Sequence, residues 1–131
     1  MIILPNDWKF DKESLSKDEW KWPFIILTAI AYLPIGPQTV IGCNHTMSFE
    51  GLLNFSDCTD MCCGILTEPR LLPNGIPNLK YGFPKKEINF LCLTTLTKDE
   101  FTEKNNMGEY NHLNNVIYND VEKYLVIKNK R

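Results

Sequence analysis

The residues of this sequence that are most able to do chemistry are its cysteines and histidines. Cys43 or Cys92 would act as a nucleophile only beside a base, and the sequence offers His45 and His112 for that role. A small Cys/His-dependent enzyme is therefore one hypothesis. Cys92, however, falls in a predicted buried strand. His45 stands between a loop and a strand, where a hydrogen-bonded structural histidine is the simpler interpretation. We predict a protein that is not an enzyme and has no catalytic residue.

A second cluster, Cys58, Cys62 and Cys63, suggests a metal-binding module. Thiolates bind zinc well, but a structural zinc site needs four ligands, and no second C-x-x-C or histidine pair completes the set. An extended strand would also place Cys62 and Cys63 on opposite faces. We favour buried structural thiols, and predict no metal and no cofactor. The odd count of five cysteines is a poor disulfide framework and favours reduced thiols.

Composition and charge predict a single acidic domain. The chain has 131 residues, 44% of them hydrophobic, which suits one domain spanning residues 1–131. Its formal net charge of −2 offers no basic field to a phosphate backbone, so nucleic acid is not an expected partner. The longest apolar run, Phe24 to Leu33, is about half of what a bilayer crossing needs, and no signal peptide precedes it. We expect a cytoplasmic protein that does not enter a membrane.

The elements that would position these residues centre on one strand and the helix after it. Apolar side chains occur at both odd and even positions from Glu87 to Thr97, which predicts a central strand buried on both faces, with Leu91 and Leu93 in the core. Thr97 and Glu100 have the spacing of a capping box, so a helix should begin directly after the strand.

The remaining elements are placed by apolar runs and by proline and glycine. Pro23 to Leu33 predicts a helix that is apolar all round and buried, with Pro23 in its first turn. Met61 to Thr67 predicts a strand, and Thr46 to Leu53 a weaker one. The many prolines and glycines between residues 68 and 86 predict a long surface loop. A second helical stretch should follow Gly108, with one apolar face packed on the sheet through Tyr110, Leu113, Ile117 and Val121.

Several short motifs occur in an order that resembles the suppressor-of-fused domain family in its bacterial form. In chain order they are Leu4-Pro5-Asn6-Asp7-Trp8-Lys9, Trp22-Pro23-Phe24, Gly42-Cys43-Asn44-His45-Thr46, Ile88-Asn89-Phe90-Leu91, Leu96-Thr97-Lys98-Asp99-Glu100 and Gly108. The most specific are the tryptophan-proline helix start and the strand that runs into an acidic helix. The sequence departs from the family at Cys43-Asn44, where relatives usually have a glycine or aromatic pair before the histidine.

The resemblance implies an α+β fold, with a central mixed β-sheet flanked by helices, and a role in binding a protein. Bacterial relatives are thought to act as immunity proteins or antitoxins that neutralise a cognate toxin. The chain resembles the C-terminal two-thirds of the family domain, so residues 1–4 should form a strand at a sheet edge left open by missing neighbours. An open edge tends to pair with another chain, which predicts a homo-oligomer through the N-terminal strand.

An acidic domain of this kind would meet a basic, nuclease-like toxin by charge complementarity. Residues 98–122 carry six acidic residues and two lysines. The predicted protein-binding residues are Asp99, Glu100, Glu103 and Glu109.

Overall fold

The computed structural model of the chain describes residues 1–33, 40–51, 58–70 and 78–130. Its helices are α1 (Asp18–Tyr32), α2 (Lys98–Met107), α3 (Glu109–His112) and α4 (Val121–Leu125). A short 3-10 turn, Ser14–Ser16, precedes α1, and a π-helical turn, Leu113–Ile117, follows α3. Its strands are β1 (Thr46–Ser48), β2 (Met61–Thr67), β3 (Leu79–Tyr81), β4 (Lys86–Ile88) and β5 (Cys92–Thr97). The predicted α+β class is confirmed.

The central sheet is built around the antiparallel pair β2 and β5. β1 pairs antiparallel with the other edge of β2, which gives the order β1-β2-β5. Gly64 in β2 is where the sheet packs most tightly: a Cβ there would lie 2.5 Å from the Phe49 ring and 2.8 Å from Leu93. Only glycine lets these two side chains meet over the strand.

The N-terminal segment adds parallel pairing on the other edge of β5. The backbone nitrogen of Met1 donates to the Leu91 carbonyl at 2.6 Å, and the Leu93 N–H donates to the Met1 carbonyl at 2.9 Å. Met1 thus bonds to two residues that are two positions apart, Leu91 and Leu93, which is the pattern of a parallel ladder. The sheet is therefore mixed, as predicted.

The N-terminal strand is paired at a second place along the same edge. Ile3 forms a parallel bridge with Val126, and the Ile127 N–H donates to the Ile3 carbonyl at 2.8 Å. Met1 and Ile3 are two residues apart, so their backbone groups point to the same edge of the strand, and the chain that returns after α4 extends the pairing that β5 begins there. The predicted homo-oligomer through the N-terminal strand stays a prediction.

Both faces of the sheet are covered, because the side chains of β5 alternate between two cores. Leu93 points into a cluster with Trp22 of α1, together with Trp8, Ile26, Phe49, Met61, Leu66 and Ile127. Cys92 and Leu96 point the other way, into a cluster with Cys63, Ile65, Ile117, Tyr124 and Leu125. The predicted two-sided burial of the strand is confirmed between residues 92 and 97.

The first half of that predicted strand is wrong. Ile88 and Phe90 are 41% and 38% exposed, and β5 begins only at Cys92. Residues 86–88 instead pair with 79–81 in an exposed hairpin. The predicted long loop therefore ends in a regular element. The capping box is confirmed: the Glu100 N–H donates to Thr97 Oγ1 at 3.3 Å, and the Thr97 N–H to Glu100 Oε2 at 2.9 Å.

Helix α1 begins five residues before the predicted start, so Pro23 lies inside it. Asp18 and Glu19 in its first turn favour this start, because their negative charge interacts favourably with the positive end of the helix dipole. Trp22 and Pro23 are buried, and this packing offsets the hydrogen bond that proline cannot donate. Burial all round is also wrong, because Tyr32 at the end of the helix is 66% exposed.

The helical stretch after Gly108 packs on the sheet as predicted where the structure describes it. Ile117 is fully buried, and Val121 packs against the same cluster. The side chains of Tyr110 and Leu113 lie outside the described part of the structure.

The two-sided burial of β5 predicts that truncation of Leu93 destabilises the protein much more than truncation of Ile88, which lies on the exposed hairpin. Leu93→Ala should lower the free energy of unfolding by roughly 2–5 kcal/mol, because it leaves a cavity between Phe49 and α1. Ile88→Ala, on the exposed hairpin, should cost less than about 0.5 kcal/mol. Denaturant titration of both variants measures these losses. Equal losses would contradict the position at which β5 begins.

Candidate functional site

Cys43 and His45 lie in a tight turn before β1. The Gly42 N–H donates to His45 Nδ1 at 3.0 Å, and Asn44 adopts a positive φ of 74°, a conformation that asparagine tolerates better than most residues. The His45 ring therefore accepts a hydrogen bond that holds its own turn together. His45 is therefore a hydrogen-bonded structural histidine, which was the simpler of the two interpretations of the sequence.

Cys43 opens instead onto a cavity of about 600 Å³. Glu68 and Arg70 line it, whereas His45 is not among its lining residues in the described part of the chain. Arg70 pairs with the Glu68 carboxylate at 2.9 Å and stacks 3.7 Å from the centre of the Tyr118 ring. The guanidinium charge is thus already matched within the wall of the cavity. His45 Nδ1 already accepts the Gly42 N–H, so this nitrogen is not available to act as a base toward Cys43.

The three cysteines of the suggested metal module are divided by the sheet. Cys58 packs against the cluster that contains Trp22, whereas Cys62 and Cys63 belong to the cluster on the opposite face. No group of three or more histidine, cysteine, aspartate or glutamate side chains that could hold a metal ion occurs among the described residues. All five cysteines are present as thiols.

Cys62 and Cys63 do not face opposite sides of the strand, so that sequence-based prediction is wrong. The register of β2 against β5 shifts at this point: Met61 is opposite Thr97, but Cys63 is opposite the adjacent Leu96. Cys62 is therefore the extra residue of a β-bulge, which turns its side chain toward that of its neighbour. The two Sγ atoms lie 3.7 Å apart.

The two thiols line a groove of about 420 Å³ between the bulge and α2. Glu50, Lys98, Phe101 and Thr102 are among the other lining residues. Burial raises the pKa of the Cys63 thiol to about 12, with the neighbouring Cys62 and the charge of Glu50 acting in the same direction. Cys63 is thus held as a protonated thiol.

The four predicted protein-binding residues have different surroundings. Asp99 and Glu103 are exposed, and they lie one turn apart on α2. Glu100 is half-buried, and its carboxylate is occupied by the capping box. Glu109 begins α3, and its side chain lies outside the described residues. The structure therefore presents Asp99 and Glu103 as an acidic pair on the surface.

Behind this pair, α2 and α3 bury two basic side chains. Lys104 is 3% exposed, with its Nζ 3.4 Å from Thr46 Oγ1. His112 is fully buried, and neither ring nitrogen has a hydrogen-bond partner among the described residues. Burial lowers the pKa of His112, and the charge of Lys104 lowers it further; Glu103 and Glu100 oppose this shift. His112 is thus held in its neutral form.

The β3–β4 hairpin presents an exposed apolar face. Leu79 lies opposite Ile88, and Tyr81 follows two residues after Leu79, so all three project from one side. Leu79 and Tyr81 are 52% and 50% exposed, and Phe83 in the turn is completely exposed. Exposed aromatic and aliphatic side chains grouped in this way are typical of protein–protein contact sites.

Sequence reasoning missed this hairpin, although a signal was present. Apolar and charged residues alternate in Leu79–Tyr81, and Gly82 has a positive φ of 74° in the connection to Lys86–Ile88. The prolines and glycines around these residues masked the alternation.

Comparison with known proteins identifies one family. The family model described as suppressor of fused protein (SUFU) matches residues 1–115. No curated protein and no solved structure matches the chain. In the described part of the chain, no helix has the length and hydrophobicity needed to span a membrane.

The buried neutral His112 predicts a loss of stability in mild acid. The unfolded chain takes up a proton near the ordinary histidine pKa of 6.5, whereas the folded protein does so only at a lower pH. Protons therefore favour unfolding as the pH falls below this value, by at most about 1.4 kcal/mol per pH unit for one group. Denaturant titrations between about pH 7 and pH 5 measure the slope.

His112→Gln should flatten this slope, and His45→Gln on the surface is the matched control that should retain it. The slope is the readout because either substitution can also change stability at every pH. A wild-type slope in His112→Gln would show that other groups cause the acid sensitivity.

Proposed function

Because the chain belongs to the suppressor of fused family, we propose that it is a non-catalytic protein-binding domain that acts as a bacterial immunity protein. Its partner is a cognate toxin, which it captures and neutralises in the cytoplasm. The family is one of regulatory and binding proteins, and this is the coarse function that the match supports. The identification of the partner as a toxin goes beyond this coarse function and is our own proposal.

The observation that carries the proposal is the exposed apolar face of the β3–β4 hairpin. Residues that dominate binding energy are typically large aromatic or aliphatic side chains that become desolvated in the complex. Leu79, Tyr81 and Phe83 are of this type, and each is at least half exposed in the isolated chain. Lys86 lies opposite Tyr81 and therefore on the same face, where its charge supplies part of the polar rim of a typical interface. In the proposed complex this face is the apolar anchor.

The acidic pair on α2 has a different role. Asp99 and Glu103 are exposed, and exposed charges act mainly through long-range attraction that speeds encounter with an oppositely charged partner. We assign them to steering a basic toxin toward the domain. Glu109 remains a proposed member of this acidic surface, whereas the capping role of Glu100 makes it a poor test of binding.

The enzyme alternative rests on Cys43 and His45, and the geometry gives it little support. The His45 ring accepts a hydrogen bond from its own turn, and the cavity beside Cys43 is lined by a matched arginine–glutamate pair. The alternative of a three-cysteine metal module is weakened by the position of Cys58 across the sheet from Cys62 and Cys63.

The proposal is tested with the protein encoded beside this one in its genome. Expression of that neighbour alone should arrest growth, and co-expression of this chain should restore it. The purified proteins should then form a complex whose rates can be measured by surface plasmon resonance. Continued arrest during co-expression, or the absence of a complex, would contradict the immunity role.

Reversal of the acidic pair should slow association. The double variant Asp99→Lys/Glu103→Lys should lower the association rate by roughly tenfold at low salt and flatten its salt dependence, because steering falls off with ionic strength. Asp7→Lys/Glu13→Lys is the matched control, since it makes the same change in net charge on exposed residues elsewhere. Equal rates for both double variants would place the interface away from α2.

Truncation of the hairpin anchor should act on dissociation instead. Tyr81→Ala should weaken the complex by about 1–2 kcal/mol, mainly through faster dissociation, because it removes an aromatic side chain that the partner would desolvate. Tyr32→Ala is the matched control: its side chain is 66% exposed, compared with 50% for Tyr81, and it lies on α1. A larger effect at Tyr32 would move the anchor to that helix.

A further inference from the structure

The β-bulge in β2 creates a pair of adjacent thiols, of which Cys63 belongs to the core and neither has a part in the proposed function. Two adjacent cysteines in a regular strand would point to opposite faces, but the bulge brings Cys62 Sγ and Cys63 Sγ to 3.7 Å from each other. Both residues line the groove beside α2, Cys62 half-buried and Cys63 4% exposed, so a small molecule in the groove reaches the pair from the side of Cys62.

The distance between the sulfurs fits a bridging atom better than a direct bond. A disulfide needs an S–S length of about 2.05 Å, and its Cα atoms usually lie at least about 4.4 Å apart. Adjacent residues have Cα atoms only about 3.8 Å apart. An atom with bonds of about 2.3 Å to each sulfur, the length found for zinc thiolates, spans 3.7 Å at an angle of about 107°.

We propose that Cys62 and Cys63 form a two-point binding site for trivalent arsenic, in the form of an organic arsenical that carries one arsenic–oxygen group. Two As–S bonds form, and two S–H bonds break. The arsenic–oxygen bond is lost, and its oxygen leaves as water with both thiol protons. Arsenic remains trivalent throughout, so no oxidant or reductant takes part.

The surroundings favour this ligand over a divalent cation. Zinc requires four ligands and deprotonated thiols, but the described residues supply no group of three or more ligands at this place. The raised pKa of Cys63, about 12, opposes thiolate formation. An arsenical needs only two sulfurs and removes the thiol protons with its own oxygen. Phe101 in the wall of the groove offers an aromatic surface to its organic substituent.

The test uses phenylarsine oxide on the full chain, reduced beforehand with a phosphine. Intact-mass spectrometry should show one phenylarsenic group per chain, with the loss of two hydrogens. The adduct should survive an excess of a monothiol such as glutathione and be removed by a dithiol such as ethanedithiol, because only a second chelating pair competes with two bonds. Release by the monothiol, or no adduct at all, would overturn the proposal.

Variants then locate the site. Cys62→Ser removes the half-buried sulfur of the pair and should abolish the monothiol-resistant adduct. Cys63→Ala should do the same, and it provides a second variant if the first folds poorly. Cys43→Ser and Cys58→Ser are matched controls that should retain the adduct, because each changes a thiol outside the pair. An adduct that persists in Cys62→Ser, or is lost in Cys58→Ser, would place the chelating pair elsewhere.

This inference is independent of the protein-binding proposal, since its readout is the mass of the isolated chain. An adduct without toxin binding, or toxin binding without an adduct, separates the failure of one from the failure of the other.

Discussion

The pairing of β2 with β5, buried on both faces, is the constraint on which the rest of the structure depends. Every side chain of β5 must find an apolar neighbour on one side or the other, and α1 covers one face while the helices after residue 97 cover the other. The tightest contact is at Gly64, where any side chain would collide with Phe49 and Leu93. Because interiors are densely packed, this close approach lets Phe49 and Leu93 meet directly over the strand.

Structural features that depend only on residues close in sequence were predicted from local signals. The capping box between Thr97 and Glu100 was read correctly because its two hydrogen bonds involve residues three apart. Distant partners were not predictable in this way. The N-terminal segment pairs with residues 126–127, and no local pattern records that pairing. The early start of α1 did have a local signal, the acidic first turn of Asp18 and Glu19, but the prediction placed the start at Pro23.

The candidate sites illustrate the same limit. Asp99 and Glu103 are exposed, whereas Glu100 is occupied as a cap, and the capping-box spacing that conflicts with a binding role for Glu100 was already present in the sequence. The hairpin was missed because the prediction assigned residues 87–97 to one strand, whereas the chain divides them between an exposed strand and a buried one. The alternation of side chains along a strand does not indicate which part of an apolar segment is buried. The bulge was missed because it is defined only by the register of the partner strand.

Three sets of residues on helix α2 have different roles, and the period of 3.6 residues per turn places each set on a separate arc of the helix surface. Glu100 and Lys104 lie one turn apart and are turned inward, with Lys104 buried near the sheet. Asp99 and Glu103 lie about 100° around the helix from that pair, on the exposed side. Lys98, Phe101, Thr102 and Asn105 occupy the remaining arc and form the wall of the thiol groove. The bulge at Cys62 lies opposite the residues that start α2, so the capping box that fixes the helix also fixes that wall. A ligand on the two thiols therefore contacts α2 while leaving its acidic surface uncovered.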